Sequence, residues 1–67
     1  MMNYKGYIGE VEYDDEFHIF AGRVVNTASI ITFQATTEGE IKKEFRASVD
    51  DYLKWCHEDG VEPEKTF

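Results

Sequence analysis

The stretch TEGEIKKEFRASVDDYLKWCHEDG, residues 37–60, decides the fold. Its apolar residues recur at steps of three and four, which predicts an amphipathic helix with one buried face. Thr37 followed by Glu40 forms a capping box at the start, and Gly60 shortly before Pro63 marks the end. The predicted buried face consists of Ile41, Phe45, Val49, Tyr52 and Cys56. We expect the rest of the chain to form a small sheet that covers this helix.

Length and composition limit the possible classes of protein. The chain has 67 residues, enough for one domain, residues 1–67, that buries roughly 60% of its unfolded surface. A single cysteine excludes an internal disulfide, and with two histidines it gives too few ligands for a typical closed zinc site. Without a signal peptide or an apolar run near membrane-spanning length, we expect a cytoplasmic protein with no membrane contact.

The chain is acidic, with a formal net charge of −7. Both halves of the sequence carry this acidity, which argues against independent binding of nucleic acid, since that requires a positive surface. Opposite charges steer association, so the composition favours a basic partner. The simpler alternative is that the charge only keeps the protein soluble.

Three stretches before the helix have the composition of strands. Residues 3–13, 17–25 and 30–35 are rich in aromatic and β-branched types, and polar turns separate them at 14–16 and 26–29. Connections this short favour antiparallel hairpins. The sequence therefore predicts an α+β fold with a three-stranded antiparallel sheet and one long helix packed on one face.

Turns of this length predict which residues face the helix. The predicted helix-facing set is Ile8, Phe20, Val24, Ile31, Phe33 and Ala35, with Gly6 and Gly22 allowing close approach. The opposite face then holds Tyr7, Val11, Tyr13, Phe17, Ile19, Val25 and Ile30. A face this apolar usually marks an interaction site, and a homodimer is the simplest way to cover it. A one-residue slip of the first hairpin would exchange Ile8 for Tyr7 and Val11 on the core face, but would still leave surplus apolar residues.

Candidate catalytic groups are few. Asp14, Asp15 and Glu16 could in principle bind a cation, but consecutive turn residues point in different directions, and a solvated turn is the favoured interpretation. Cys56 falls on the apolar helix face as a small core residue, and His18 is expected on the surface. Nothing combines a nucleophile, a base and an orienting group. We therefore predict no catalytic residues, no metal and no cofactor.

A binding role is the remaining default. The candidate partner-binding residues are Tyr13, Asp14, Asp15, Glu16 and Phe17 around the first turn, together with Trp55. Trp55 lies at the border of the apolar helix face and is interpreted equally well as core edge or as an interface anchor.

The order of these features resembles the N-terminal domain of HicB antitoxins. The resemblance covers nearly the whole chain, and its most specific part is VDDYLKWCHEDGVEPEK, residues 49–65. The other matching positions are Tyr4, Gly6, Asp14, Phe20, Gly22, Val24, Thr32, Phe33, Ile41 and Phe45. The resemblance implies a partial RNase H-like fold that lacks the catalytic carboxylates of RNase H.

The resemblance also implies a function and a partner. HicB proteins bind HicA, a small basic toxin that cleaves mRNA, and mask its active site. Family members usually continue into a DNA-binding domain, whereas this sequence stops at Phe67, so we expect no direct binding of nucleic acid by this chain. The alternative is a stand-alone, homo-oligomeric HicB-like domain without a toxin, which could bind a small ligand.

Overall fold

The computed structural model describes residues 1–63 and shows an α+β fold with one antiparallel sheet and one helix. The strands follow one another in the order β1-β2-β3-β4. The elements are β1 (Met2–Tyr4), β2 (Tyr7–Asp14), β3 (Ile19–Val24), β4 (Thr32–Ala35) and α1 (Glu38–Asp59). The α+β class with an antiparallel sheet is confirmed, but the sheet has four strands where three were predicted.

The additional strand results from a two-residue turn at Lys5 and Gly6. Both residues have positive φ, 52° and 85°, as the tight turns of β-hairpins require. Tyr4 consequently lies opposite Tyr7, and the single strand predicted for residues 3–13 is two strands. The prediction that Gly6 lies under the helix was wrong. Gly6 is part of this turn, where its positive φ is easily adopted by glycine.

The two longer hairpins differ in how well their register was predicted. Phe20 lies opposite Ala35 across β3 and β4, as a loop at 26–29 requires. In the preceding hairpin, a loop limited to 14–16 would place Tyr13 opposite Phe17, whereas Tyr13 lies opposite Phe20. The observed register therefore differs from the predicted one by three residues. Because successive side chains of a strand point to opposite faces, a shift by an odd number moves every β2 side chain to the face opposite the predicted one.

The shift corrects the predicted faces of the sheet. Tyr7 and Val11 lie on the helix side, where Tyr7 is fully buried, and the prediction of Ile8 as a core residue was wrong. The open face carries Ile8, Glu10, Glu12, Asp14, Ile19, Ala21, Arg23, Val25, Ile30, Thr32 and Gln34. Of the apolar residues predicted for this face, Ile19, Val25 and Ile30 lie there, whereas Tyr7, Val11 and Tyr13 lie on the helix side. The open face is therefore less apolar than predicted, and a homodimer that covers it stays a prediction.

Helix α1 has the predicted caps. The Thr37 hydroxyl accepts a hydrogen bond from the Glu40 backbone N–H at 3.1 Å. Gly60 adopts the left-handed conformation at φ 69° and donates its backbone N–H to the Cys56 carbonyl. These caps satisfy backbone groups that have no partner within the helix.

The core lies between α1 and the sheet. Phe45 packs its ring against Phe33 at a centroid distance of 5.4 Å, and directly over Gly9. A Cβ on Gly9 would lie 2.8 Å from Phe45 Cε1, so the contact requires glycine. The central buried residues are Tyr7, Val24, Phe33, Ile41, Phe45 and Val49. The predicted helix face is confirmed for Ile41, Phe45, Val49 and Cys56, while Tyr52 is partly buried.

One fully buried polar residue connects two loops of the sheet. Asn26 follows β3, and its Oδ1 accepts a hydrogen bond from the Ile8 backbone N–H at 2.8 Å. Its Nδ2 donates to the Gly6 carbonyl at 2.9 Å. Asn26 therefore fastens the β1–β2 turn to the end of β3, a role that the sequence did not predict.

Candidate protein-binding site at the acidic hairpin tip

The β2–β3 connection places five of the six predicted partner-binding residues together. Asp14 Oδ1 accepts hydrogen bonds from the backbone N–H groups of Glu16 at 2.9 Å and Phe17 at 3.2 Å. His18 completes the turn with φ 54°. The carboxylate of Asp14 thus shapes the turn, as Asp side chains commonly do, while Asp15 and Glu16 are exposed.

Two aromatic side chains flank this acidic turn. Phe17 is 67% exposed and Tyr13 is 48% exposed. The Tyr13 ring packs against Phe20 at 4.8 Å between centroids, and its hydroxyl lies 3.4 Å from His18 Nδ1. Tyr13 is therefore held in place before any partner binds, which lowers the entropic cost of using it as an anchor.

Trp55 does not belong to this group. Its ring stacks on Tyr52 at 6.4 Å, and the Tyr52 hydroxyl lies 3.4 Å from Ser29 Oγ in the β3–β4 loop. That loop is at the opposite end of β3 from the hairpin tip. Trp55 is 51% exposed, so together with Tyr52 it forms a separate aromatic surface. The structure therefore splits the predicted site into two locations.

A further feature of this region is an uncovered stretch of β2. Strand β1 extends only as far as Met2, which lies opposite Gly9, so β2 continues beyond it from Glu10 to Asp14. Within residues 1–63, no strand pairs with this side of β2 beyond Gly9. The predicted three-stranded sheet already placed residues 3–13 at a sheet edge, and the turn at Lys5 and Gly6 adds β1, which limits the unpaired part of that edge to Glu10–Asp14.

Near the other end of β2, a small polar cluster joins the β1–β2 turn to the helix. Asp50 accepts a hydrogen bond from Lys5 Nζ at 2.8 Å and from the Tyr4 hydroxyl at 3.1 Å. The bond from Lys5, followed by that from Tyr4, lowers the pKa of Asp50 below its ordinary value. The bond to Asp50 raises the pKa of Lys5. All these groups are exposed or partly exposed, so the cluster orients the turn and contributes modestly to stability.

Beyond the hairpin tip, the features of the described residues that bear on chemistry include a buried thiol, a buried phenol and open surface depressions. Cys56 is fully buried, and burial also raises the pKa of the Tyr7 hydroxyl. Over the described part of the chain, no group of three or more His, Cys, Asp or Glu side chains could hold a metal ion. The surface depressions are open, and one on the open sheet face, lined by Glu10, Glu12 and Arg23, measures about 400 Å³.

Helix α1 is too polar to cross a membrane, and residues 1–63 contain no other helix that could.

Comparisons with protein-family models, with curated proteins and with solved structures find no match for this chain.

Proposed function

We propose that this chain is a HicB-like antitoxin domain that binds and neutralises a small, basic, mRNA-cleaving toxin of the HicA type. The proposal is supported by the ordered set of residues that resembles the HicB N-terminal domain, from Tyr4 to the segment 49–65. An antiparallel sheet with one long helix on one face is compatible with the partial RNase H-like fold of that family. In this proposal the domain acts in the cytoplasm by protein–protein contact and neither cleaves RNA nor binds DNA.

The observation that carries the proposal is the composition of the hairpin tip. Exposed Tyr13 and Phe17 flank a turn formed by Asp14, Asp15 and Glu16, of which Asp15 and Glu16 are exposed. Aromatic anchors within a charged rim are typical of protein interfaces, and the sign of this rim suits a basic partner. The net charge of −7 extends the same attraction over the whole molecule.

The proposal predicts that a small basic protein is encoded beside this chain. The test measures association of the chain with that protein by surface plasmon resonance at two salt concentrations. Reversal of Asp15 and Glu16 to Lys should slow association more than it speeds dissociation, because exposed charges act mainly during encounter. Added salt should also slow association, since the Debye length falls to ~8 Å at physiological ionic strength.

The matched control reverses Glu44 and Asp51, two exposed acidic residues of α1, to Lys. This variant has the same change in net charge but leaves the tip intact, so its association should slow less. Equal slowing by both variants would show that only the net charge matters. Failure of the unmodified chain to bind the neighbouring protein would refute the proposed function.

The alternative is a homo-oligomeric domain without a toxin, and one observation favours it. No strand within residues 1–63 pairs with the outer edge of β4, where the exposed residues Thr32 and Gln34 are uncharged, so two copies could pair there without charge repulsion. Light scattering over a range of protein concentrations distinguishes this assembly from a monomer.

A further inference from the structure

The uncovered edge of β2 presents backbone groups arranged for another strand. The Val25 backbone N–H donates to the Ile8 carbonyl at 2.9 Å, so Ile8 directs its backbone groups towards β3. In an antiparallel ladder this direction alternates along the strand. Val11 and Tyr13 therefore direct their N–H and C=O groups away from β3. They point to the side on which β1 pairs with β2 only as far as Gly9.

The side chains along this edge alternate in chemistry as well as in direction. Val11 packs against the core on the helix side, and Tyr13 lies on the same side. Glu10 and Glu12 are exposed on the open face. A depression of about 290 Å³ lined by Met1, Glu10, Val11 and Glu12 continues the line of β1 along this edge.

From these observations we propose that the edge of β2 from Glu10 to Asp14 accepts an extended segment of a basic partner protein as an additional strand. The segment carries Lys or Arg at alternate positions, opposite Glu10 and Glu12, and apolar residues between them, beside Val11 and Tyr13. Strand addition of this kind uses backbone hydrogen bonds for affinity and alternate side chains for specificity. This inference takes the basic nature of the partner from the proposed function and specifies where and how that partner binds.

Charge argues against a second copy of this chain at the same edge. If two β2 edges paired antiparallel about Glu12, Glu12 would lie opposite Glu12, and Glu10 opposite Asp14. A pair centred on Val11 would place Glu10 opposite Glu12. Like charges directly opposite one another are destabilising, and a basic strand removes this repulsion.

Charge also selects the orientation of the added strand. On the helix side, Lys42 and Arg46 line a depression beside Met2 and Phe45, next to the end of β1. Basic side chains on that side would meet these cations, whereas on the open face they meet Glu10 and Glu12. The strand therefore binds with its basic residues on the open face.

The test uses a short, capped synthetic peptide that alternates lysine and valine, added to the folded chain and followed by backbone NMR. Binding should slow amide hydrogen exchange at Val11 and Tyr13 and leave Thr32 and Gln34 unchanged. Two N-methylated versions of the peptide are compared. Methyl groups on the edge that contacts β2 should abolish binding, and methyl groups on the opposite edge should not.

Variants of the chain test the same contact without any change to the peptide, so that an effect of N-methylation on the peptide alone cannot explain the result. Val11→Pro removes a backbone donor from the β2 edge, and Gln34→Pro removes one from the β4 edge as the matched control. Only the first should prevent binding. Because Val11→Pro could disturb folding, reversal of Glu10 and Glu12 to Lys provides a second variant, expected to weaken binding roughly tenfold or more.

The outcomes separate this inference from the proposed function. Binding of the neighbouring basic protein without protection at Val11 and Tyr13 would overturn the inference and leave the proposed function standing. If the chain binds the peptide at this edge but does not bind the neighbouring basic protein, the inference is supported and the proposed antitoxin function is refuted. Protection at Val11 and Tyr13 that rises with protein concentration alone would overturn the inference in favour of a second copy.

Discussion

Replacement of Asn26 by Ala should destabilise the domain far more than replacement of an ordinary loop residue. Asn26 is fully buried and its side chain makes hydrogen bonds of 2.8 Å and 2.9 Å to the Ile8 N–H and the Gly6 carbonyl. Loss of both bonds, with each partner left short of a hydrogen bond, costs about 2–4 kcal/mol. A domain of this length has roughly 3–10 kcal/mol of total stability, so the substitution should remove a large fraction of the free energy of unfolding and lower the urea midpoint clearly.

The assay is urea unfolding followed by far-UV circular dichroism. Asn3→Ala is the matched control, because Asn3 is exposed and its removal should change stability by no more than about 0.5 kcal/mol. Equal stability of the Asn26→Ala variant and this control would refute the claim that Asn26 holds the β1–β2 turn.

Asn26→Asp separates the two hydrogen bonds. An ionised carboxylate can still accept from the Ile8 N–H, but it cannot donate to the Gly6 carbonyl. Burial favours the neutral acid, so the pKa of the introduced carboxyl should be raised in the folded state. The variant should therefore lose stability as pH rises through that raised pKa. A pH-independent difference from the unmodified chain would contradict this assignment.

Four other substitutions have defined expected results, each measured by thermal or urea unfolding. Phe45→Ala should cost about 3–5 kcal/mol, because it empties the centre of the core. Gly22→Ala should cost about 1–3 kcal/mol, since its Cβ would collide with the Phe33 ring, whereas Gly39→Ala, with open space around it, should stabilise the helix by up to ~1 kcal/mol. The contribution of Asp50, whose pKa is lowered, should be present above its ordinary pKa and disappear as pH falls through the lowered value, and Asp50→Asn should remove this dependence.

The helix could be predicted from sequence because its signals are local. The capping residue Thr37 and the stop at Gly60 act within one helical turn, and the spacing of Ile41, Phe45 and Val49 depends only on the geometry of the helix. The β3–β4 register was predicted equally well, because the loop at 26–29 had the assumed length.

The register of the β2–β3 hairpin was predicted wrongly because it depends on the length of the turn. The alternative of a register slip, which exchanges Ile8 for Tyr7 and Val11 on the core face, agrees with the structure in which residues face the helix. The Asp14 side chain binds the backbone of Glu16 and Phe17, and His18 adopts positive φ, so the turn extends beyond Glu16. Neither property follows from the alternation of polar and apolar residues. The error reversed every β2 side chain, so that Tyr7, Val11 and Tyr13 lie on the helix side and not on the open face.

The candidate site was predicted where its residues are neighbours in the chain. Tyr13, Asp14 and Phe17 remain together whatever the register, because one turn connects them. Trp55 lies away from this turn, and its separation from the site could be predicted only by knowing which end of the sheet each helical turn contacts. The extent of the unpaired β2 edge depends on how far β1 covers it, and β1 forms through the tight turn at Lys5 and Gly6, for which the glycine was the only available signal.

The most direct test of the proposed function is a cell-free translation assay with the small basic protein encoded beside this chain. The account predicts that this protein cleaves a reporter mRNA when alone, and that an equimolar amount of the chain preserves the mRNA. The chain with Asp15 and Glu16 reversed to Lys should preserve it less well at high dilution, where slower association limits neutralisation. Cleavage that continues unchanged in the presence of excess folded chain would contradict the account.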